Sequence, residues 1–268
     1  MHTERFQEEL TSLIDRLQER PRSAAPRGAV HSVVSVSGGC GASTIAVNMA
    51  AALAGMHRKC GLLELQFDGG DLEVMLNLRP TATFADLAEA GMALDAEMLT
   101  DSLAKHARGI SLLPCPPAWN EFRAVPPEAV SHLLGVATSI FPQVVIDLED
   151  VFHPEQMAAV AASDQLLLVI RLEFPCLVRT RRVLDFLDRI NFPSDRVQLV
   201  VNRTSPREEI RPAQVKEALG RSISFFIPND YPLAVTAANV GNPFVYESPG
   251  AALSKAVKKM AETLAPVK

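Results

Sequence analysis

Between Val30 and Ile227 the chain alternates between short runs of β-branched and aliphatic residues and longer stretches whose apolar positions recur at helical spacing. The runs Val30–Val36, Cys60–Leu65, Ile110–Leu113, Val144–Asp147, Leu166–Ile170, Val197–Val201 and Ile223–Ile227 read as strands. Because they are near-continuously apolar, they read as strands covered on both faces. The stretches Ser43–Met56, Pro126–Ser139, Pro175–Ile190 and Pro212–Leu219 read as helices. This alternation predicts an α/β fold: a mostly parallel twisted sheet of about seven strands with helices on both faces.

Two further patterns lie at the ends. From Arg5 to Glu19, Phe6, Leu10, Leu13, Ile14 and Leu17 recur at helical spacing, with Glu8, Glu9, Asp15, Arg16 and Gln18 among the polar positions. An isolated helix of about 15 residues is marginal in water, so this stripe predicts docking on a partner, on a second copy or back on its own domain. The segment from Pro21 to Gly28 is rich in proline and small residues and reads as an extended linker. The expected organisation is a helix over 1–20, a linker over 21–28 and one domain over 29–268. Near the other end Leu253, Val257, Met260, Ala261 and Leu264 form a stripe with Lys255, Lys258 and Lys259 elsewhere on the helix. It reads as a last helix packed on the sheet, with a membrane-surface helix as the alternative.

Composition narrows the function classes. The chain has 268 residues, 48% of them apolar, enough for a sizeable core. A net charge of -5 argues against a dedicated nucleic-acid binder. Cys40, Cys60, Cys115 and Cys176 lie far apart with no CxxC pair, which argues against a zinc site or a disulfide framework and fits a reducing cytosol. No signal-peptide pattern and no membrane-length apolar stretch is present, so a cytoplasmic protein is expected.

The chemistry concentrates after the first strand, in Ser37-Gly38-Gly39-Cys40-Gly41-Ala42-Ser43-Thr44, which runs straight into a helix. Glycines there let backbone N–H groups converge on an anion, and the helix dipole favours negative charge. A full phosphate loop reads Gly-Lys-Ser/Thr where this chain has Gly41-Ala42-Ser43. The lysine is lost, and the hydroxyl that serves magnesium is kept. A plain strand-to-helix turn is the other reading of the same residues.

The loop and the segments after it resemble the MinD/ParA superfamily of P-loop NTPases, specifically its CpaE/TadZ branch of pilus-assembly proteins. The loop is similar to the superfamily's deviant phosphate loop, with Asn48 matching an asparagine in its first helix. The stretch Glu64 to Leu72 is similar to the acidic segment after the second strand, and Val144-Val145-Ile146-Asp147-Leu148 to the Walker B strand. Val200-Val201-Asn202-Arg203 resembles the strand end that reads adenine. Ile227-Pro228-Asn229-Asp230-Tyr231, continuing through Ala237, Asn239, Gly241, Pro243 and Phe244 to Pro249, carries the resemblance to the branch.

The resemblance implies ATP or ADP held by Gly38, Gly39, Cys40, Gly41, Ala42, Ser43, Thr44, Asn202, Arg203, Pro228 and Asp230, with magnesium held through Ser43 and Asp147. Asp147, Glu64 and Gln66 are the candidates for catalysis. Two departures bear on activity. Ser37 stands at the signature lysine and Ala42 at the phosphate-loop lysine, while Glu64 and Gln66 replace the usual pair of aspartates. Gln66 cannot take a proton as a carboxylate would. The expected protein is therefore a weakly hydrolysing or non-hydrolysing nucleotide-binding scaffold, a homodimer at the inner face of the cell membrane or at a pole, serving a Tad/Flp-type pilus or secretion machine. Its partners are expected through the N-terminal helix, with membrane contact peripheral or indirect. The alternatives are a slow genuine ATPase with Arg171 or Arg203 supplying the lost charge, a DNA-associated partition switch using Arg171, Arg179, Arg181 and Arg182, and an interaction platform without nucleotide.

Overall fold

The computed structural model describes residues 27–66, 69–115, 125–150 and 153–266. The N-terminal helix and most of the linker lie outside the described residues, as do Phe67 and Asp68.

The chain runs β1 (Ala29–Ser35), α1 (Ala42–His57), β2 (Cys60–Leu65), α2 (Leu72–Met75), α3 (Phe84–Glu89), α4 (Ala96–Ser102), β3 (Ala104–Lys105), β4 (Ile110–Leu113), α5 (Pro127–Ile140) and β5 (Gln143–Leu148). It continues through α6 (Pro154–Ala162), β6 (Gln165–Ile170), α7 (Phe174–Arg189), β7 (Val197–Thr204), α8 (Pro212–Leu219), β8 (Phe225–Pro228), α9 (Tyr231–Val240), α10 (Phe244–Glu247) and α11 (Ala252–Leu264). The strands form one eight-stranded sheet in the order β3-β4-β2-β5-β1-β6-β7-β8. All neighbours pair in parallel except β3, which lies antiparallel to β4.

The sheet is as expected, with one added strand. That strand, β3, has two residues, too short to leave a pattern in the sequence. The last strand begins at Phe225 rather than Ile223, after a register irregularity between Val201 and Thr204. Every residue of β2 and β5 is buried. Since successive side chains point to opposite faces, both faces of the sheet are covered there.

Packing also begins two residues ahead of the expected domain boundary. Arg27 pairs with Asp164 at 2.8 Å, and Gly28 N–H donates to Thr138 O at 2.8 Å. Asp164 accepts the Val30 N–H as well. The end of the expected linker is therefore tied to α5 and to the turn before β6.

Helix α1 lies beneath β1, β2 and β5 and is covered in turn by α11. Its buried residues combine small ones, Ala46, Ala50 and Ala51 among them, with the fully buried Ile45, Met49 and Leu53. Asn48 is fully engaged inside: its Nδ2 donates to Thr44 O, and its Oδ1 accepts the Val245 N–H at 3.2 Å. Tyr246 Oη donates to Ala51 O at 2.9 Å. Helix α1 is thus stitched along its length to the C-terminal segment. The stripe on α11 is buried through Leu253, Val257, Met260 and Ala261, as a packed last helix requires.

Candidate functional site

Five strands, β1, β2, β5, β7 and β8, deliver the expected site residues to one edge of the sheet, their carboxyl ends, where open α/β sheets bind ligands. The loop after β1 folds back so that Val36 N–H reaches Val169 O and Cys40 N–H reaches Ser37 O. Gly41 then opens α1 at φ 91° and ψ 31°, and no side chain caps the helix. The first N–H groups of α1 therefore face outward with no acidic residue in the first turn. Ala42, at the lysine position, is buried and brings no charge.

Asp147 lies near the end of β5 with no exposed surface, paired in register with Val33 on one side and Glu64 on the other. Its Oδ2 accepts from Gln66 Nε2 at 3.1 Å, while Oδ1 has no partner. Burial pushes its pKa up to about 7, against the lowering pull of hydrogen bonds from Ser43 and Gln66. Gln66 Nε2 also lies 3.4 Å from Ser43 Oγ and 3.3 Å from Leu148 O. Ser43, Gln66 and Asp147 are thus brought together in the structure. A magnesium ion takes oxygen ligands, but the Gln66 amide nitrogen faces Asp147 Oδ2 and Ser43 Oγ, which leaves Asp147 Oδ1 as the one oxygen of that carboxylate without a partner, a poor fit to that ion. A buried, orphaned carboxylate oxygen beside an uncapped helix end is a place for a polar ligand.

Glu64 has a different task. Its two oxygens accept the N–H groups of Leu72 and Cys115, each at 3.1 Å. Gly70 packs so closely on the carboxylate that a side chain there would overlap it. Burial pushes Glu64 up to about 8, opposed by those two bonds and reinforced by the charge of Asp147. It fastens two loops rather than presenting a carboxylate to the cleft.

Beside Gly41 opens a cleft of about 130 Å³, walled by Thr44, Asn202, Arg203, Pro228, Asp230 and Phe244. Six of the residues expected to bind nucleotide therefore share one cavity, counting Gly41, and the rest of the loop adjoins it. Asn202 Nδ2 donates to Cys40 O at 2.7 Å, and its Oδ1 accepts the Arg203 N–H, so Asn202 props the loop from below. Arg203 holds a left-handed φ of 56° at the strand end. The Asp230 carboxylate caps α9 through the Leu233 N–H.

One residue expected only as part of a basic helix face for DNA lies at the phosphate loop instead. Arg179 on α7 reaches across 142 positions to donate to Ser37 Oγ at 3.2 Å. A guanidinium therefore stands beside the serine that occupies the signature lysine position. Arg171, expected as a substitute charge, pairs instead with Glu173 at 2.6 Å. Arg181 pairs with Asp185 at 3.0 Å, so the basic helix face expected for DNA is partly spent within the chain. Cys40 is buried, with its Sγ 4.0 Å from Cys176 Sγ. Its hydrogen bond to Cys176, together with burial, holds its pKa far above the thiol range.

No protein-family model matches the chain. Among curated relatives, an uncharacterised ATP-binding protein of Methanocaldococcus jannaschii is 24% identical over 233 residues, 87% of this chain and 86% of the relative. The septum site-determining protein MinD of Thermotoga maritima is 25% identical over 230 residues, 81% of this chain and 80% of the relative. A ParA family ATPase from Chlorobium tepidum superposes with a TM-score of 0.82 at 25% identity, covering 88% of this chain and 99% of that one. MinD of Pyrococcus horikoshii, solved with Mg-ADP, gives 0.76 at 21% identity over 89% and 96%. The fold is the P-loop NTPase fold of the MinD/ParA kind, and the chain has homologues among those ATPases.

Proposed function

We propose that this chain is a nucleotide-binding scaffold of the MinD/ParA kind, acting as a homodimer in the localisation or assembly of a Tad/Flp-type pilus or secretion machine. The observation that carries the nucleotide part is the uncapped helix end at Gly41, set between the orphaned carboxylate of Asp147 and the cleft under Asn202. Backbone N–H groups of the loop bind the phosphates, and the walls built by Asn202, Arg203, Pro228 and Asp230 take the base. Ser43 and Asp147 are the positions at which the resemblance places magnesium, whose contribution would be to neutralise phosphate charge, but Gln66 Nε2 already donates to Asp147 Oδ2 and lies 3.4 Å from Ser43 Oγ. The pilus assignment draws on the branch-like segment Ile227–Tyr231, which forms one wall of the cleft.

Hydrolysis is weak in this reading. Each missing charge-stabilising donor costs on the order of 100-fold in rate, and two lysine positions are Ser37 and Ala42. Gln66 can place a water but cannot accept its proton. Among the described residues no helix is long and apolar enough to cross a membrane. The proposal therefore puts the protein at the inner face of the membrane through partners bound by its N-terminal helix.

Calorimetric titration with ADP tests the nucleotide part. Wild type should bind and Gly41→Val should not; absence of binding by wild type at millimolar ADP would refute it. A genuine slow ATPase is the second reading, favoured by Arg179 on Ser37. A turnover assay in which Arg179→Ala abolishes phosphate release would establish it.

A further inference from the structure

We propose that this site binds its nucleotide without a metal ion, the side-chain amide of Gln66 taking the cation's place between Ser43 and Asp147. This rests on the nucleotide reading above and concerns what balances that site. A divalent cation here would draw on the lone pairs of Ser43 Oγ and the Asp147 carboxylate. Gln66 Nε2 already donates to Asp147 Oδ2 at 3.1 Å and lies 3.4 Å from Ser43 Oγ. A third acceptor, Leu148 O at 3.3 Å, holds the nitrogen on that spot. The orientation of the amide follows from its partners, since a carboxylate and a carbonyl both accept and the nitrogen end must face them. The Gln66 backbone is held as well, its carbonyl accepting the Gly69 N–H at 3.2 Å.

The amide N–H groups present the positive end of a dipole to the same oxygens that a magnesium ion would bind. They satisfy those oxygens without adding charge, and they turn that positive end toward any incoming ion. Asp147 Oδ1 remains unpartnered, but an ion held there alone would have one free protein oxygen, with N–H donors beside it. An aspartate at 66 would do the opposite. It would set a second carboxylate against Asp147, and like charges at such range call for a cation between them. The positive charge that phosphate needs comes from another direction, the Arg179 guanidinium on Ser37 at the far side of the loop.

The test is titration of the full chain with ADP in excess magnesium chloride and again in excess EDTA. Wild type should give dissociation constants within about threefold of each other. Gln66→Asp should bind at least about tenfold more weakly in EDTA than in magnesium. Gln66→Met, which removes the donors without adding charge, should show a smaller response of the same sign; thermal melting of both variants confirms that they are folded. A tenfold or greater loss by wild type in EDTA overturns the proposal while leaving the nucleotide reading intact. Metal indifference in both variants also overturns it, because Gln66 is then not the cause. Absence of heat from wild type in either buffer overturns both readings at once.

Discussion

Gly41→Ala is the substitution whose cost the structure sets most directly. The residue sits at φ 91°, where a side chain strains the backbone by on the order of 1–2 kcal/mol. A Cβ built there meets Asn202 Nδ2 at 2.6 Å, so Asn202 must move. Its buried bond to Cys40 O, 2.7 Å long, then breaks, which costs about 1 kcal/mol more. The total is about 2–3 kcal/mol, or roughly 4–12 °C in melting temperature for a chain of this size. Chemical denaturation of wild type, Gly41→Ala, Asn202→Ala and the double variant measures each part. The double variant should be less destabilised than the sum of the singles by about 1 kcal/mol, because removing Asn202 removes the clash. Gly38→Ala is the control: nothing lies within 4 Å of a Cβ there, and its effect should stay within about 0.5 kcal/mol. A Gly41→Ala protein as stable as wild type, or strict additivity with Asn202→Ala, would refute the loop-and-prop account.

Three other outcomes follow. Arg179→Met should leave the melting temperature within about 2 °C of wild type, since its bond to Ser37 is exposed; ADP affinity should fall several-fold and lose part of its salt dependence, and an unchanged salt slope would remove Arg179 from the site. His31 is buried, and desolvation lowers its pKa against the raising effect of its bond to Gln143. With the folded pKa below the unfolded value of about 6.5, the unfolded chain binds the extra proton, so His31 contributes stability above about pH 6.5 that is lost as pH falls. Urea unfolding between pH 7.5 and 5 should show a shallower loss in His31→Gln than in wild type. Leu168→Ala, in the fully buried middle of β6, should cost about 2–5 kcal/mol by denaturation.

The parallel sheet was legible because its strands are buried on both sides and so read as uninterrupted aliphatic runs. Ile110–Leu113 and Cys60–Leu65 were found to the residue for that reason. The connections were harder. Helices α2, α3 and α4 have four to seven residues each, too few for a period to declare itself. Helix α6 is buried from Gln156 through Ala161 and shows no polar stripe to reveal it. In the site, the glycine loop and Asp147 carry their chemistry in local sequence and were visible. Glu64 looked like a candidate catalyst because nothing local says that its carboxylate ties down Cys115, 51 positions away. Arg179 was legible as a basic helix residue; its contact with Ser37 exists only once β1 and β6 lie side by side.

The central place of β1 also governs how this chain must assemble. The strand that carries the phosphate loop finds both neighbours, β5 and β6, only after most of the domain's first two-thirds has been made: His31 waits 112 residues for Gln143. At synthesis rates of about 5–20 residues per second, that interval is roughly 6–22 s. During it a nascent aliphatic segment, Val30 to Val36, has no sheet partner to cover it. The phosphate loop is thus the earliest part of the site to be synthesised, and the site closes only after β7 and β8 bring Asn202 and Asp230 to it, so a chain stalled before Gln165 leaves β1 with at most one sheet neighbour.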